Sequence, residues 1–320
     1  MTPHRTDNLD LIGNTNRTRG TVLLALSLAA MLGSFLPATP AGAGNLADAF
    51  VSSTGSGTAC TEQAPCATFD AAINAVGTGG VIQCIDAGDF GFLGITKSLT
   101  VDCTAALTGV TNAGASALGA NVDAGNGTVI LRGLSFNAVG TGSAGIRFEN
   151  GNALHVENCR IVGNTAAPDG FGIEFFLPAG VSGTLYVSDT VIQDNGSTSP
   201  NGGAGIRVKT LGSESPRVVL NRVLLTNNVF GIWVDGIAAF TGSGKSPVSI
   251  TVDHSASIMN GGTGILSSGS GAYIILGNST VMSNNFGLAA NSGGTIFSYQ
   301  NNQLTGNFSD GAPTAFLTVK

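Results

Sequence analysis

Short apolar–polar alternations fill the chain from about residue 81 onward. A Gly followed by Ile or Leu recurs at 145–146, 172–173, 205–206, 231–232, 264–265 and 287–288, at spacings of 27, 33, 26, 33 and 23 residues. Each opens a short alternating run: GIRFEN, GIEFF, GIRVKT, GIWVDG, GILSSG and GLAAN. A second block lies between these runs. It reads LHVENCRIVGN from Leu154, LYVSDTVIQDN from Leu185 and VVLNRVLLTNN from Val218. It continues as ITVDHSASIMN from Ile250, IILGNSTVMSN from Ile274 and FSYQNNQLTGN from Phe297, with a degenerate copy, VILRGLSFN, from Val129. Period-two alternation in such short runs predicts strands, and the uneven repeat excludes strict helical arrays.

One turn of three short strands takes roughly 20–25 residues, with insertions swelling the connections. Stacked turns bury a column of Ile, Val and Leu that no single turn could bury. The expected fold is therefore all-β: a right-handed parallel β-helix over residues 81–320. Roughly nine coils at a spacing of about 4.8 Å give a rod of about 40 Å.

The segment 44–80 reads as an N-terminal cap. From Thr68, the apolar Phe69, Ala72, Ile73 and Val76 fall at i, i+3, i+4 and i+7 and predict a short helix that Gly77 stops. Its apolar face is suited to cover the open first coil.

Composition agrees with many strands and tight turns. Gly numbers 48 of 320 residues and charged residues only 10%, while 42% are hydrophobic, which excludes a disordered chain. The N-terminus predicts export. Arg5, Arg17 and Arg19 precede the apolar run Thr21–Ala38, and Ala41-Gly42-Ala43 supplies a cleavage pattern, so 1–43 reads as a signal peptide. Gly33, Ser34 and Pro37 break the run before it could span a bilayer, and no later segment looks long enough to cross one. A secreted, periplasmic or cell-surface location follows.

Loss of 1–43 removes three Arg and two Asp and leaves 10 basic and 17 acidic residues, a net of −7. That balance argues against nucleic acid as a partner. All five Cys lie beyond the signal. In an oxidising compartment Cys60 and Cys66 read as a small disulfide loop; Cys84 and Cys103 could pair, and Cys159 is left over. The two His beyond the signal lie near no Cys pair, so no metal site is expected, and no cofactor is predicted.

On these repeats, and on the entry segment CTEQAPCATFDAAINAV with its first strand GVIQCIDAG, the chain resembles the pectin-lyase-like superfamily of right-handed parallel β-helices, and within it a group of exported bacterial proteins. The resemblance covers most of the mature chain and implies a polysaccharide-binding groove along the first parallel sheet. It says little about chemistry. Val252-Asp253-His254 resembles a short pectate-lyase motif but lacks that family's Trp and the rest of its pattern. The paired Asp and Gly-His-Gly patterns of polygalacturonases are absent.

Stacking turns equivalent positions into columns. Asn158, Asp189, Arg222, His254, Asn278 and Asn301 share one turn position. An Asp, an Arg and a His in line suggest catalysis. A left-handed bend explains them better, because Asn, Asp and His tolerate it, and stacked amides could bond from coil to coil. Arg222 fits this least well.

The Gly-Ile strands carry the candidate site. Alternation places Ile146, Phe148, Ile173, Phe175, Ile206, Val208, Ile232 and Val234 inward. Arg147, Glu149, Glu174, Phe176, Arg207, Lys209, Trp233 and Asp235 then face outward. Six of the mature chain's charges thus lie beside its only Trp. Trp and Phe can stack on sugar rings, and Arg can pair with uronate carboxylates. Insertions at 164–171, 195–204, 210–217 and 236–247 could wall a groove. A glycoside hydrolase would need two carboxylates, for which Glu149 with Glu174, or Glu174 with Asp235, are candidates, and a lyase a basic group, Lys209 or Arg207, with a strongly lowered pKa. The opposing expectation is that Arg147, Glu174 and Arg207 alternate in sign simply as stabilising neighbours, on a non-enzymatic, adhesin-like rod.

Overall fold

The computed structural model describes residues 46–106, 108–198, 202–212, 215–236 and 248–318. The signal segment 1–43 and parts of three predicted insertions lie outside the described residues.

The alternation does become strands, and the strands of all three sheets pair in parallel. Three sheets wind around one core. A long sheet of eleven strands starts at Leu46–Val51 and ends at Ala315–Phe316. A short-strand sheet of eight runs from Thr108–Thr111 to Gln303–Thr305. The Gly-Ile sheet, also of eight, runs from Leu93–Ile95 to Phe286–Asn291. Eight turns therefore carry a strand in all three sheets, and the long sheet extends past them at both ends. The chain is a right-handed parallel β-helix. Its long sheet already begins inside the segment read as a cap, because Leu46–Val51 pairs with Val76–Cys84.

Register keeps like with like. Leu154, Leu185, Val218, Ile250, Ile274 and Ile296 form one buried column along the long sheet. All eight residues expected inward on the Gly-Ile strands are fully buried. The conserved spacing of Gly before Ile has a steric cause. A Cβ at Gly172 would stand 2.4 Å from Ile192 Cγ2 and 2.5 Å from the Gly205 carbonyl oxygen, so the strand can pass the corner only there without a side chain.

The helix forms at Phe69–Ala75, with Thr68 as N-cap accepting from the Ala71 N–H. Asp70 in its first turn suits the positive end of the helix. Phe69, Ala72 and Ile73 are buried. Val76 was expected on the helix with Gly77 as the stop. Val76 is instead the extended C-cap, and both residues belong to strand Val76–Cys84. The pull of sheet pairing on an apolar, β-branched residue outweighs the helical spacing here.

In five consecutive coils the bend between the long and short-strand sheets is two residues. Asn158, Asp189, Arg222, His254 and Asn278 hold left-handed φ of 51°, 51°, 53°, 47° and 47°. Arg222, the odd member, offsets that strain with a two-pronged pair to Asp189 at 2.6 and 2.7 Å. Asn301 departs from the expectation: Gln300 takes the left-handed role in its turn, at φ 64°. Within this column amides bond from coil to coil between Asn301 and Asn278, at 2.9 Å, but the long amide ladder lies elsewhere. It runs through the asparagines that close each block. Asn164, Asn195, Asn228, Asn260 and Asn284 are buried, and each Nδ2 donates to the next Oδ1 at 2.9–3.2 Å, ending on Asn307. Each backbone N–H donates to the same oxygen.

Both expected disulfides form, Cys60–Cys66 and Cys84–Cys103. Cys159 stays a buried free thiol, its pKa pushed up to about 12 by burial, which leaves it inert as a nucleophile.

Candidate functional site

The Gly-Ile sheet sets its outward residues in two columns. Arg147, Glu174, Arg207 and Trp233 are register neighbours in the first; Phe176, Lys209 and Asp235 follow in the second. Strand spacing of about 4.8 Å lets each long side chain reach the next coil.

They do reach, and they pair. Arg147 donates to Glu174 Oε2 from Nε at 2.7 Å, with Nη2 also at 2.7 Å. Arg207 Nη1 stands 3.7 Å from Glu174 Oε1, and its Nη2 is 2.7 Å from Asp235 Oδ2. Lys209 Nζ lies 3.4 Å from the same Asp235 oxygen. Glu174 is 5% exposed, so both of its oxygens face guanidinium groups instead of water. Asp235 is likewise divided between Arg207 and Lys209. Glu149 stands apart at a bulge, 3.5 Å from the Asn121 amide.

Aromatic rings hold the centre of this ladder. The Arg207 guanidinium lies 5.0 Å from the Phe171 ring centre and 4.6 Å from that of Trp233. Phe230 packs on Trp233 at 5.6 Å, and Ala144, Phe171 and Ala204 form a small buried cluster against them. Attraction of the cation to the ring faces adds to the ion pairs. Two buried donors on this face, Arg207 Nε and Trp233 Nε1, have no hydrogen-bond partner among the described residues.

Phe171 and Phe230 escaped the sequence reading. Their signal was present: Phe precedes Gly-Ile or Gly-Leu at 171–173, 230–232 and 286–288. Strict alternation would put that residue inside. In the fold Phe171, 1% exposed, instead joins a small cluster separate from the main core, with Phe230 packed against it.

The outer surface of the long sheet is the other candidate. All three Tyr of the chain belong to this sheet or its turns. Tyr186 stacks on His155 at 4.6 Å, and Tyr273 on Phe297 at 6.0 Å. Beside Tyr299 a groove of about 800 Å³ opens, bounded by Asn221, Thr251, Asp253, Asn278 and Asn301. Asp253 is held below the ordinary carboxylate range. Partial burial works against this, but hydrogen bonds from Asn278 and His254, at 2.9 and 2.8 Å, outweigh it. The Val252-Asp253-His254 triplet thus supplies two groove residues, Val252 and Asp253, and one turn residue, His254.

Among the described residues no cluster of three His, Cys, Asp or Glu could hold a metal. No described helix is long and apolar enough to cross a membrane.

No protein-family model matches this sequence, and no curated protein matches it. Among solved structures the chain is similar to pectate lyase Pel9A at 13% identity, covering 78% of this chain and 74% of that one, with a TM-score of 0.49. It is similar to a rhamnogalacturonan lyase at 13% identity, covering 85% and 89%, with a TM-score of 0.48. Both likenesses describe the course of the backbone alone.

Proposed function

We propose that this protein is an exported, non-enzymatic β-helix that binds polysaccharide along its surface without cleaving it. The observation that carries the reading is the state of the two candidate carboxylates. Glu174 and Asp235 share Arg207, which stands between them. A glycosidase needs one carboxyl group able to give a proton and a second free to act on the sugar or on water. Here neither is free. Lys209, the candidate base, is spent on Asp235. The ladder reads as a spine that locks neighbouring coils together.

Binding makes smaller demands. Arg147 and Lys209 keep side-chain exposures of 27% and 32%, and Trp233 and Phe176 are half-buried, so the Gly-Ile face offers cations and ring surface together. The test is a panel of acidic and neutral polysaccharides. Affinity electrophoresis reads retention, and reducing-end and ultraviolet assays read cleavage. Retention with no reducing or unsaturated product is expected. Steady product release that stops in Glu174→Gln would overturn the non-enzymatic reading. Failure to retain any polymer would remove the polysaccharide.

A further inference from the structure

The long-sheet groove exists because one coil lacks a side chain. Along that column the register places Arg132, Glu157, Ser188, Asn221, Asp253 and then Gly277. Gly277 is absent from the positions of positive φ, so its backbone conformation does not require glycine. What glycine provides is space. A Cβ there would stand 3.2 Å from Tyr299 Cδ2, 3.6 Å from Asp253 Oδ1 and 3.8 Å from Asn301 Oδ1. Gly277 is therefore the floor of a slot with an aromatic ring on one side and a carboxylate and an amide on the others.

The polar rim is organised in advance. Asn278 Nδ2 donates to Asp253, Asn301 Nδ2 donates to Asn278 Oδ1, and the Asn278 N–H donates to Asn301 Oδ1, at 2.9, 2.9 and 3.0 Å. Those bonds fix the rim without closing it. The Thr251 and Tyr299 hydroxyls make no hydrogen bond within the described protein and remain for a ligand. The volume, about 800 Å³, falls in the ~300–1,000 Å³ range of small-ligand sites.

Charge selects the occupant. Among the described residues the lining carries one carboxylate, Asp253, and no Lys or Arg. A uronate or sulfated sugar would meet repulsion from Asp253 there, and the neighbouring Arg222 is already paired with Asp189. A neutral pyranose fits each feature: its C–H face lies on the Tyr299 ring, and its hydroxyls donate to Asp253 and exchange hydrogen bonds with Thr251 and the rim. We infer that the groove at Gly277 and Tyr299 binds neutral sugar residues, as a glycan site separate from the Gly-Ile face. It rests on the reading of the protein as a polysaccharide binder and names a second place and a sugar class for it.

Calorimetric titration of the full folded protein with cellohexaose, mannohexaose, laminarihexaose and hexagalacturonate tests the inference. At least one neutral hexaose is expected to bind. Gly277→Val fills the slot and Tyr299→Ala removes its wall, and each is expected to weaken that binding about tenfold or more. Trp233→Ala should leave it unchanged, and Gly277→Val should leave any hexagalacturonate binding unchanged. Near-ultraviolet circular dichroism checks that the variants keep their fold; if Gly277→Val does not, Gly277→Ser and Tyr299→Ala carry the test. Neutral-sugar binding that ignores the groove variants, or that disappears in Trp233→Ala, overturns the inference while the broader reading stands. Binding of hexagalacturonate alone does the same. If no hexaose binds and no polymer is retained on gels, both fall together.

Discussion

A guanidinium that lies over two rings and is tied to two carboxylates is a fixed part of the scaffold. Arg207 is that group, and its side chain is only 12% exposed. Removing one member of such an ion-pair set leaves its partners charged and partly desolvated. Glu174→Gln is expected to lower stability by about 3 kcal/mol, near the low end for a broken buried pair because Arg147 keeps 27% exposure. Denaturant melts of wild type and variant measure it. On a glycan panel the wild type and this variant are both expected to release no product under the proposed non-enzymatic reading. The alternating charges of Arg147, Glu174 and Arg207 were visible in the repeat. The contact of Arg207 with Phe171 was not, because strict alternation would put that Phe in the main core.

Among the elements, the asparagine ladder ties the coils most directly. Asn228 accepts from both the backbone N–H and the side-chain amide of Asn195, and donates in turn to Asn260. Asn228→Ala leaves at least the buried Asn195 N–H without a partner, a loss of about 1–3 kcal/mol per group. Asn228→Asp keeps the acceptor but turns a buried carboxylate oxygen toward the Ile192 carbonyl and Asn260 Oδ1, so at neutral pH it should be at least as destabilising as alanine. Thermal midpoints order the three. Asparagine at a regular interval was legible as a column, yet two Asn-rich columns compete in this chain. Only the strand register shows which one turns inward: the bend column, from Asn158 to Asn278, faces solvent, and the block-closing column is buried. The helix makes the same point in miniature. Its capping by Thr68 was readable, while its end at Ala75 was set by a strand that pairs with Leu46–Val51, far from any local signal.

At the scale of the molecule, acid should weaken the rod in two stages. Burial lowers the His155 pKa from 6.5, against the opposing pull of Glu157. A histidine whose folded pKa is lowered binds fewer protons folded than unfolded, so stability falls as pH drops below 6.5 until the folded group also titrates. Asp86, Asp189 and Asp253 lie below their ordinary 3.8. The Ser53 and Ser52 bonds hold Asp86 down and the Arg222 bond holds Asp189, whereas for Asp253 the Asn278 and His254 bonds outweigh burial. Their stabilisation is present above 3.8 and disappears as pH falls through the folded values. Thermal midpoints across pH should therefore show a mild decline below 6.5 and a second one below 3.8. His155→Phe, which keeps the stack on Tyr186, should abolish the first decline and leave the second.

The sequence by itself determined the β-helix, the inward and outward faces of the Gly-Ile strands, the left-handed bends from Asn158 to Asn278 and the Cys60–Cys66 loop, while the Cys84–Cys103 pairing was settled by the fold. These follow from periodicity and backbone sterics, which act over a few residues and repeat in every coil. Tertiary structure alone decided which outward groups remain available. Pairing between coils neutralised Glu174 and Asp235, because residues some 30 apart in sequence become neighbours one strand away. The groove at Gly277 was decided in the same way. A single missing side chain matters only when Asp253 from the coil before and Tyr299 from the coil after stand around it.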